Sequence, residues 1–74
     1  MIREHDSVVL TCDIQEHALR AGDVGAVVNV YEAGRAFEVE FVAGDGRTVA
    51  VLTLEPDAVR PVADAEILSV RAFS

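Results

Sequence analysis

The chain has 74 residues, enough for one small domain, and 51% of them are hydrophobic, so the composition predicts a folded core and excludes a disordered polymer. Thirteen acidic residues against six arginines give a net charge of −7, which disfavours binding to nucleic-acid phosphates and to anionic membranes. One cysteine excludes an internal disulfide, and with only two histidines it argues against a zinc site, so we expect no metal and no cofactor.

The first strand is predicted at residues 7–12, where the run SVVLTC is rich in β-branched side chains. Its alternation places Cys12 on the core face of that strand, as a small hydrophobe. A long loop follows over residues 13–23, and we expect Gly22 to form a turn near its end. Gly25 is expected to allow a close backbone contact at the start of the second strand.

Three further strands are predicted at residues 24–31, 36–42 and 48–54, because period-two apolar patterns alternate there with turn signals. The middle one has the clearest alternation, with Glu38 and Glu40 on the face opposite its aromatic residues. Glycines in both intervening turns suit the positive φ angles of tight hairpins.

Residues 55–58 predict a single tight helical turn, with Pro56 where a missing N–H costs little. A short fifth strand is predicted at residues 59–62, where Pro61 indicates the edge of a sheet. Five short antiparallel strands, a long first loop and tight hairpins predict an all-β fold, a small SH3-like barrel over residues 1–62. A small open antiparallel sheet is the structural alternative.

Residues 63–74 form a C-terminal extension, here called the tail, whose apolar side chains a closed barrel does not need. As a helix, the tail would place Ile67, Val70 and Phe73 about one turn apart. As a strand, it would place Leu68 and Val70 on one face. Periodicity leaves both a short helix and a sixth strand open, and the poor helix formers in the tail favour the strand. We expect the tail to pack on the barrel or on a partner chain.

The second and fourth strands carry apolar residues on both faces, whereas a barrel of this size has one interior. The surplus apolar face requires a cover, either from the tail or from another copy of the chain. The residues predicted for a homo-oligomer interface are Val27, Val49, Val51, Leu68 and Val70.

The sequence holds no pattern of nucleophile, base and orienting group, so we expect a protein that is not an enzyme. His17 lies beside Glu16 in the long loop, and Tyr31 combines a large apolar body with a polar tip. With Glu38 and Glu40, these residues are the predicted contacts for a basic protein partner.

Charged residues follow directly after Met1 and Ile2, so we expect no apolar leader. No apolar run is long enough to span a bilayer. Together with the single cysteine, this predicts a cytoplasmic protein with neither a membrane nor a nucleic acid as its partner.

Four runs of the chain carry a family pattern: EHALRAGDVGAVV from residue 16, VYEAGRAFEVEF from residue 30, VLTL from residue 51 and VRPV from residue 59. They resemble a bacterial family of small proteins, domain of unknown function 4926, and the resemblance extends from about Ile2 to Val62. It implies a small stand-alone bacterial protein with an SH3-like fold, and it supplies no activity and no site residues. Ala18 departs from the pattern, which has glycine at this position.

Two functions remain as hypotheses. The first is a non-enzymatic module that docks a basic protein partner, with an antitoxin-like or accessory role by analogy alone. The alternative is a purely structural homo-oligomer or accessory subunit without a separate ligand. The position of the tail distinguishes them, because a tail folded on its own barrel leaves the acidic face free, whereas an exchanged tail makes the oligomer the product.

Overall fold

The computed structural model describes residues 1–63, 66–68 and 70–72, and within these ranges no helix is long and apolar enough to cross a membrane. The chain is all-β, with strands β1 (Ser7–Leu10), β2 (Val24–Tyr31), β3 (Ala36–Val42), β4 (Thr48–Leu54) and β5 (Val59–Pro61). Two 3₁₀ turns, η1 (Gln15–His17) and η2 (Pro56–Ala58), lie in the first loop and before β5. The predicted bounds of β2, β3 and β4 are confirmed, and the predicted helical turn is η2.

The five strands form one antiparallel sheet in the order β4-β3-β2-β1-β5. The order, the long loop before β2 and the 3₁₀ turn before β5 are consistent with the predicted small SH3-like barrel. In the part of the chain that the structure describes, β4 pairs with β3 alone and β5 with β1 alone, so the sheet is open and has two edges.

The core lies on the inner side of the sheet. Phe37, Val39 and Phe41 alternate along β3 and are at most 5% exposed, which confirms the predicted alternation. The remaining buried residues of this cluster come from every other strand and from the first loop: Val8, Leu10, Leu19, Val27, Ala50 and Val59.

A bulge in β2 changes which residues face this core. Val27 and Asn29 pair with two consecutive residues of β3. Val28, which lies between them on β2, is therefore the inserted residue. The shift turns Val30 inward and Asn29 outward, and the Asn29 side-chain oxygen accepts a hydrogen bond from the Val30 N–H at 3.0 Å. Val27 is fully buried, so its predicted place in an oligomer interface is wrong: it is a core residue.

A second bulge lies at the start of β4. Thr48 pairs with Val42 and Ala50 pairs with Phe41, which leaves Val49 as the inserted residue. Val49 is half-buried and packs against the core cluster. Because of the bulge, Val49 does not lie on the surplus apolar face to which it was assigned. It packs against the core of its own chain.

The first strand is shorter than predicted, ending at Leu10 instead of Cys12. The Thr11 N–H donates to the Ala58 carbonyl at 2.9 Å, and the Thr11 hydroxyl donates to the Asp57 carbonyl at 2.6 Å. These bonds join the chain to η2 and end the strand alternation. Cys12 is therefore exposed, and its predicted place in the core is wrong.

The first loop is a compact hairpin. Ile14 and Leu19 exchange backbone hydrogen bonds of 2.9 and 3.1 Å, and the Leu19 side chain is 4% exposed within the core. Between them, Ala18 ends η1 with a φ of 57°, in the left-handed region that suits glycine. Ala18, where the chain departs from the family pattern, is thus the one residue of this turn that has a positive φ.

The tail is neither a sixth strand nor a helix in its described residues, 66–68 and 70–72. Ile67, Leu68 and Val70 are 95%, 51% and 97% exposed, so they do not cover the barrel. The predicted helical contact of Phe73 lies outside the described residues. Side-chain ion pairs hold the tail, which explains why its apolar periodicity does not predict its conformation.

Gly25 allows β2 to approach β3 closely. A Cβ atom at Gly25 would lie 2.6 Å from Val39 Cγ1 and 2.8 Å from Phe41 Cε1. We therefore expect Gly25→Ala to lower the free energy of unfolding by about 1–3 kcal/mol, as overpacking of a core does. Urea denaturation followed by circular dichroism measures this change.

Gly44→Ala is the matched control, because a Cβ there meets nothing within 4 Å and Gly44 has no positive φ. We expect Gly44→Ala to leave the unfolding free energy within about 0.5 kcal/mol. Equal effects of the two substitutions would contradict the close packing at Gly25.

Replacing Ala18 by glycine relieves the left-handed strain in η1. We expect Ala18→Gly to raise the free energy of unfolding by about 0.5–1 kcal/mol, because the relief exceeds the added entropy of the unfolded chain. Ala21→Gly, in the same loop without a positive φ, should instead lower the stability. A loss of stability in both variants would show that Ala18 is not strained.

Candidate functional site

The predicted partner contacts lie in two separate places. Glu16 and His17 are exposed in η1, which belongs to the loop that leads into the start of β2. Tyr31 is half-buried at the other end of β2, where it pairs with Ala36 and so lies on the outer face of the sheet. Glu38 and Glu40 lie on the same outer face, and Glu38 is a diagonal neighbour of Tyr31, because it pairs with Asn29, two residues before Tyr31.

The two glutamates occupy the centre of the outer face of strands β2 to β4. Glu40 is opposite Ala26 on β2 and Val51 on β4. Glu38 is opposite Asn29 and Thr53 in the next row. Both glutamates are half-buried between these neighbours, so their positions on the face are fixed by the strand register.

Exposed valines surround the two carboxylates. Val28, Val42 and Val51 are 41%, 53% and 48% exposed on the same three strands. We call these three valines with Glu38 and Glu40 the acidic face. Val51 was predicted to lie on the surplus apolar face, whereas Val28 and Val42 were not, because the exposure of Val28 depends on a bulge and Val42 is the last residue of its strand.

The acidic face suits a cationic, partly apolar group. Strands β2, β3 and β4 contain two glutamates and not one arginine. Residues two apart on a strand are about 7 Å apart, so the two carboxylates present separate acceptors. The Thr48 hydroxyl donates to Glu40 Oε2 at 2.9 Å, which orients that carboxylate and leaves its second oxygen for another donor.

An ion pair anchors the tail to the first loop. Arg71 donates from Nε to Asp23 Oδ1 at 2.8 Å and from Nη2 to Asp23 Oδ2 at 2.5 Å. The same Nη2 donates to the carbonyl of Ala18 at 2.9 Å, at the end of η1. The hydrogen bonds from Arg71 hold the pKa of Asp23 below its ordinary value, against the opposing effect of burial.

A second ion pair holds the start of the tail. Arg60, on β5, donates to both carboxylate oxygens of Glu66 at 2.6 Å. The Ala63 N–H donates to the same carboxylate at 2.7 Å. These donors lower the pKa of Glu66 to about 2. Because the pair is exposed, it adds little to the stability of the fold. Its main effect is to fix the path of the chain after β5.

Between the anchored tail and the end of the sheet lies an open cavity of about 420 Å³. Leu19, Phe41 and Val49 form its apolar wall, and Asp23 and Arg71 form its polar side. The two charged groups bind each other through the hydrogen bonds given above. Over the described ranges, no group of three or more histidine, cysteine, aspartate or glutamate side chains could hold a metal ion.

Sequence reasoning missed both ends of the Asp23–Arg71 anchor. The two residues are 48 positions apart, and a loop aspartate and a tail arginine carry no local pattern that pairs them. The only signal was that Arg71 is the sole base of the tail.

Arg71→Gln tests this anchor through the pKa of Asp23. We expect that pKa to rise towards its ordinary value in the variant, because the hydrogen bonds that lower it are removed. The ion pair stabilises the folded chain above the ordinary aspartate pKa, and this stabilisation is lost as the pH falls through the lowered pKa. Carboxyl-carbon NMR titration of Asp23 measures the shift.

Arg35→Gln is the control, because it removes an equal charge from the turn between β2 and β3. It should leave the Asp23 titration unchanged. An Asp23 pKa that is the same in the wild type and in Arg71→Gln would show that the tail is not anchored there in solution.

The comparisons with known proteins give one match. The family model described as Domain of unknown function (DUF4926) matches residues 4–61, and the chain belongs to this family. No curated protein and no solved structure matches the chain. The matched residues include all five strands and the acidic face, whereas the tail lies beyond them.

Proposed function

We propose that this member of the DUF4926 family is a non-enzymatic protein-binding module that docks a basic segment of a partner protein on its acidic face. One observation carries the proposal: two carboxylates stand among three exposed valines on strands that contain no arginine. Exposed apolar side chains beside unpaired charge are typical of protein contacts.

The geometry defines the chemistry of the partner. Arginine or lysine side chains about 7 Å apart match Glu38 and Glu40, as alternate residues of an extended segment do. Apolar residues between those bases contact the valines and exclude water from the ion pairs. Charge pairs at the rim of such a contact accelerate association and select the partner more than they add affinity.

The overall charge supports the same class of partner. A net charge of −7 attracts basic proteins over long range and repels phosphate backbones and anionic membranes. The wider role that we propose is that of a small cytoplasmic accessory or antitoxin-like protein. Glu16, His17 and Tyr31 stay predicted contacts for regions of the partner beyond the acidic face.

Charge reversal of the acidic face tests the proposal. The probe is a short fluorescent peptide of alternating arginine and leucine, with an alternating glutamate and leucine peptide as the negative control. We expect Glu38→Lys with Glu40→Lys to weaken binding of the basic peptide about tenfold or more in fluorescence anisotropy titrations. Added salt should weaken wild-type binding, because exposed charges are screened.

The matched control is Glu4→Lys with Asp57→Lys, which changes the net charge equally at two exposed turns outside the acidic face and outside the predicted contacts. It should retain most of the wild-type affinity. Equal losses in the two double variants would mean that the peptide responds to net charge alone, and this would overturn the proposal. Failure of the wild type to bind the basic peptide would overturn it as well.

A further inference from the structure

The two edges of the open sheet differ in how they are protected. β5 has three residues, ends at Pro61 and carries the charge of Arg60, and these are devices that prevent another strand from pairing. β4 has seven residues without a charge or a proline, and a bulge interrupts it only near its start. By the same criteria β4 is an edge that accepts a further strand.

The backbone of β4 has one side free for such a strand. Within the described residues, the hydrogen bonds of β4 all go to β3. In an antiparallel ladder each strand bonds its neighbour through alternate residues, so the N–H and C=O groups of the others face outward from the edge. Pairing with another strand would satisfy these groups.

We propose that β4 pairs antiparallel with β4 of a second copy of this chain, about a two-fold axis at Val51. In this register Val51 faces its own equivalent, and Ala50 faces Leu52 of the second copy. Ala50 is buried and Leu52 packs on the core, so both residues of that pair lie on the inner side of the sheet. The bulge at Val49 interrupts the regular pairing beyond this point, so the self-complementary run is Ala50, Val51 and Leu52.

The charges that flank β4 specify a second copy instead of a foreign strand. Arg47 immediately precedes the strand, and Glu55 immediately follows it. In an antiparallel pair the start of each β4 lies beside the end of the other, so Arg47 of each copy lies near Glu55 of the other, and the dimer contains this pair twice. Both side chains are exposed, and the described residues offer neither of them an ion pair within its own chain. Because β4 itself carries no charge, it adds no repulsion between the two acidic chains.

This interaction uses the edge of the sheet and does not depend on the proposed docking function. Its first test is the solution mass of the full chain, measured by light scattering over a range of concentrations. We expect a monomer that converts to a dimer as concentration rises. A monomer throughout would overturn the proposal.

Val51→Glu places two carboxylates opposite each other at the two-fold axis and should weaken the dimer at least about tenfold. Val28→Glu is the matched control, because Val28 is an exposed valine on the same face but on an interior strand. It should leave the dimer intact. Equal weakening by both variants would point to a dimer through the acidic face and would overturn pairing of the edges.

A charge exchange tests the register. Arg47→Glu alone and Glu55→Arg alone each create two like-charged contacts and should weaken the dimer roughly three- to tenfold. The double variant restores both contacts with the signs exchanged and should recover the wild-type affinity. Failure of the double variant to recover would overturn the register.

Amide hydrogen exchange identifies the strand that pairs. We expect alternate amides of β4 to become protected at dimer concentrations and to exchange freely in the monomer. A chain ending at Val62 should dimerise as the full chain does, with the same β4 protection. Loss of the dimer on this truncation, with β4 amides unprotected, would assign the contact to the tail and overturn the proposal.

Discussion

A small sheet can bury only one of its faces, and two bulges decide which side chains of this chain lie on that face. Strict alternation along β2 would bury Asn29 together with Val27. The bulge at Val28 instead directs Val30 to the core and turns Asn29 to the outer face, where its side chain accepts a hydrogen bond from the Val30 N–H. The bulge at Val49 turns Thr48 outward, where its hydroxyl reaches Glu40. The core and the acidic face therefore have the same structural origin.

Much of this fold was predictable from local sequence. Glycine-containing turns set the bounds of β2, β3 and β4, and the alternation around Val39 identified the core face of β3. Two errors, at Val27 and Cys12, have a common cause. The inner or outer position of each residue depends on a bulge or on a hydrogen bond to a distant carbonyl, such as that of Thr11 to Ala58, and a period-two pattern contains neither.

The candidate site was predictable only in part. Glu38 and Glu40 were identified as neighbours because two residues on one strand have a fixed relation. Glu16 was grouped with them by composition, and the fold separates it from them, because long-range topology is not encoded in residue type. Tyr31 shares their outer face through the pairing of β2 with β3. The tail was the least predictable segment, since its described residues are held by arginine side chains at Arg60 and Arg71 and not by backbone pairing.

The acidic face and the β4 edge are connected through charge. A two-fold axis that joins two antiparallel edges is perpendicular to the sheet, so both acidic faces of the proposed dimer lie on the same side. Each copy contributes a net charge of −7, and this repulsion opposes the dimer at low ionic strength. A basic segment bound near Glu40 removes part of that repulsion. By thermodynamic linkage, a partner that binds the acidic face then strengthens the dimer, and the dimer strengthens binding of the partner by the same factor.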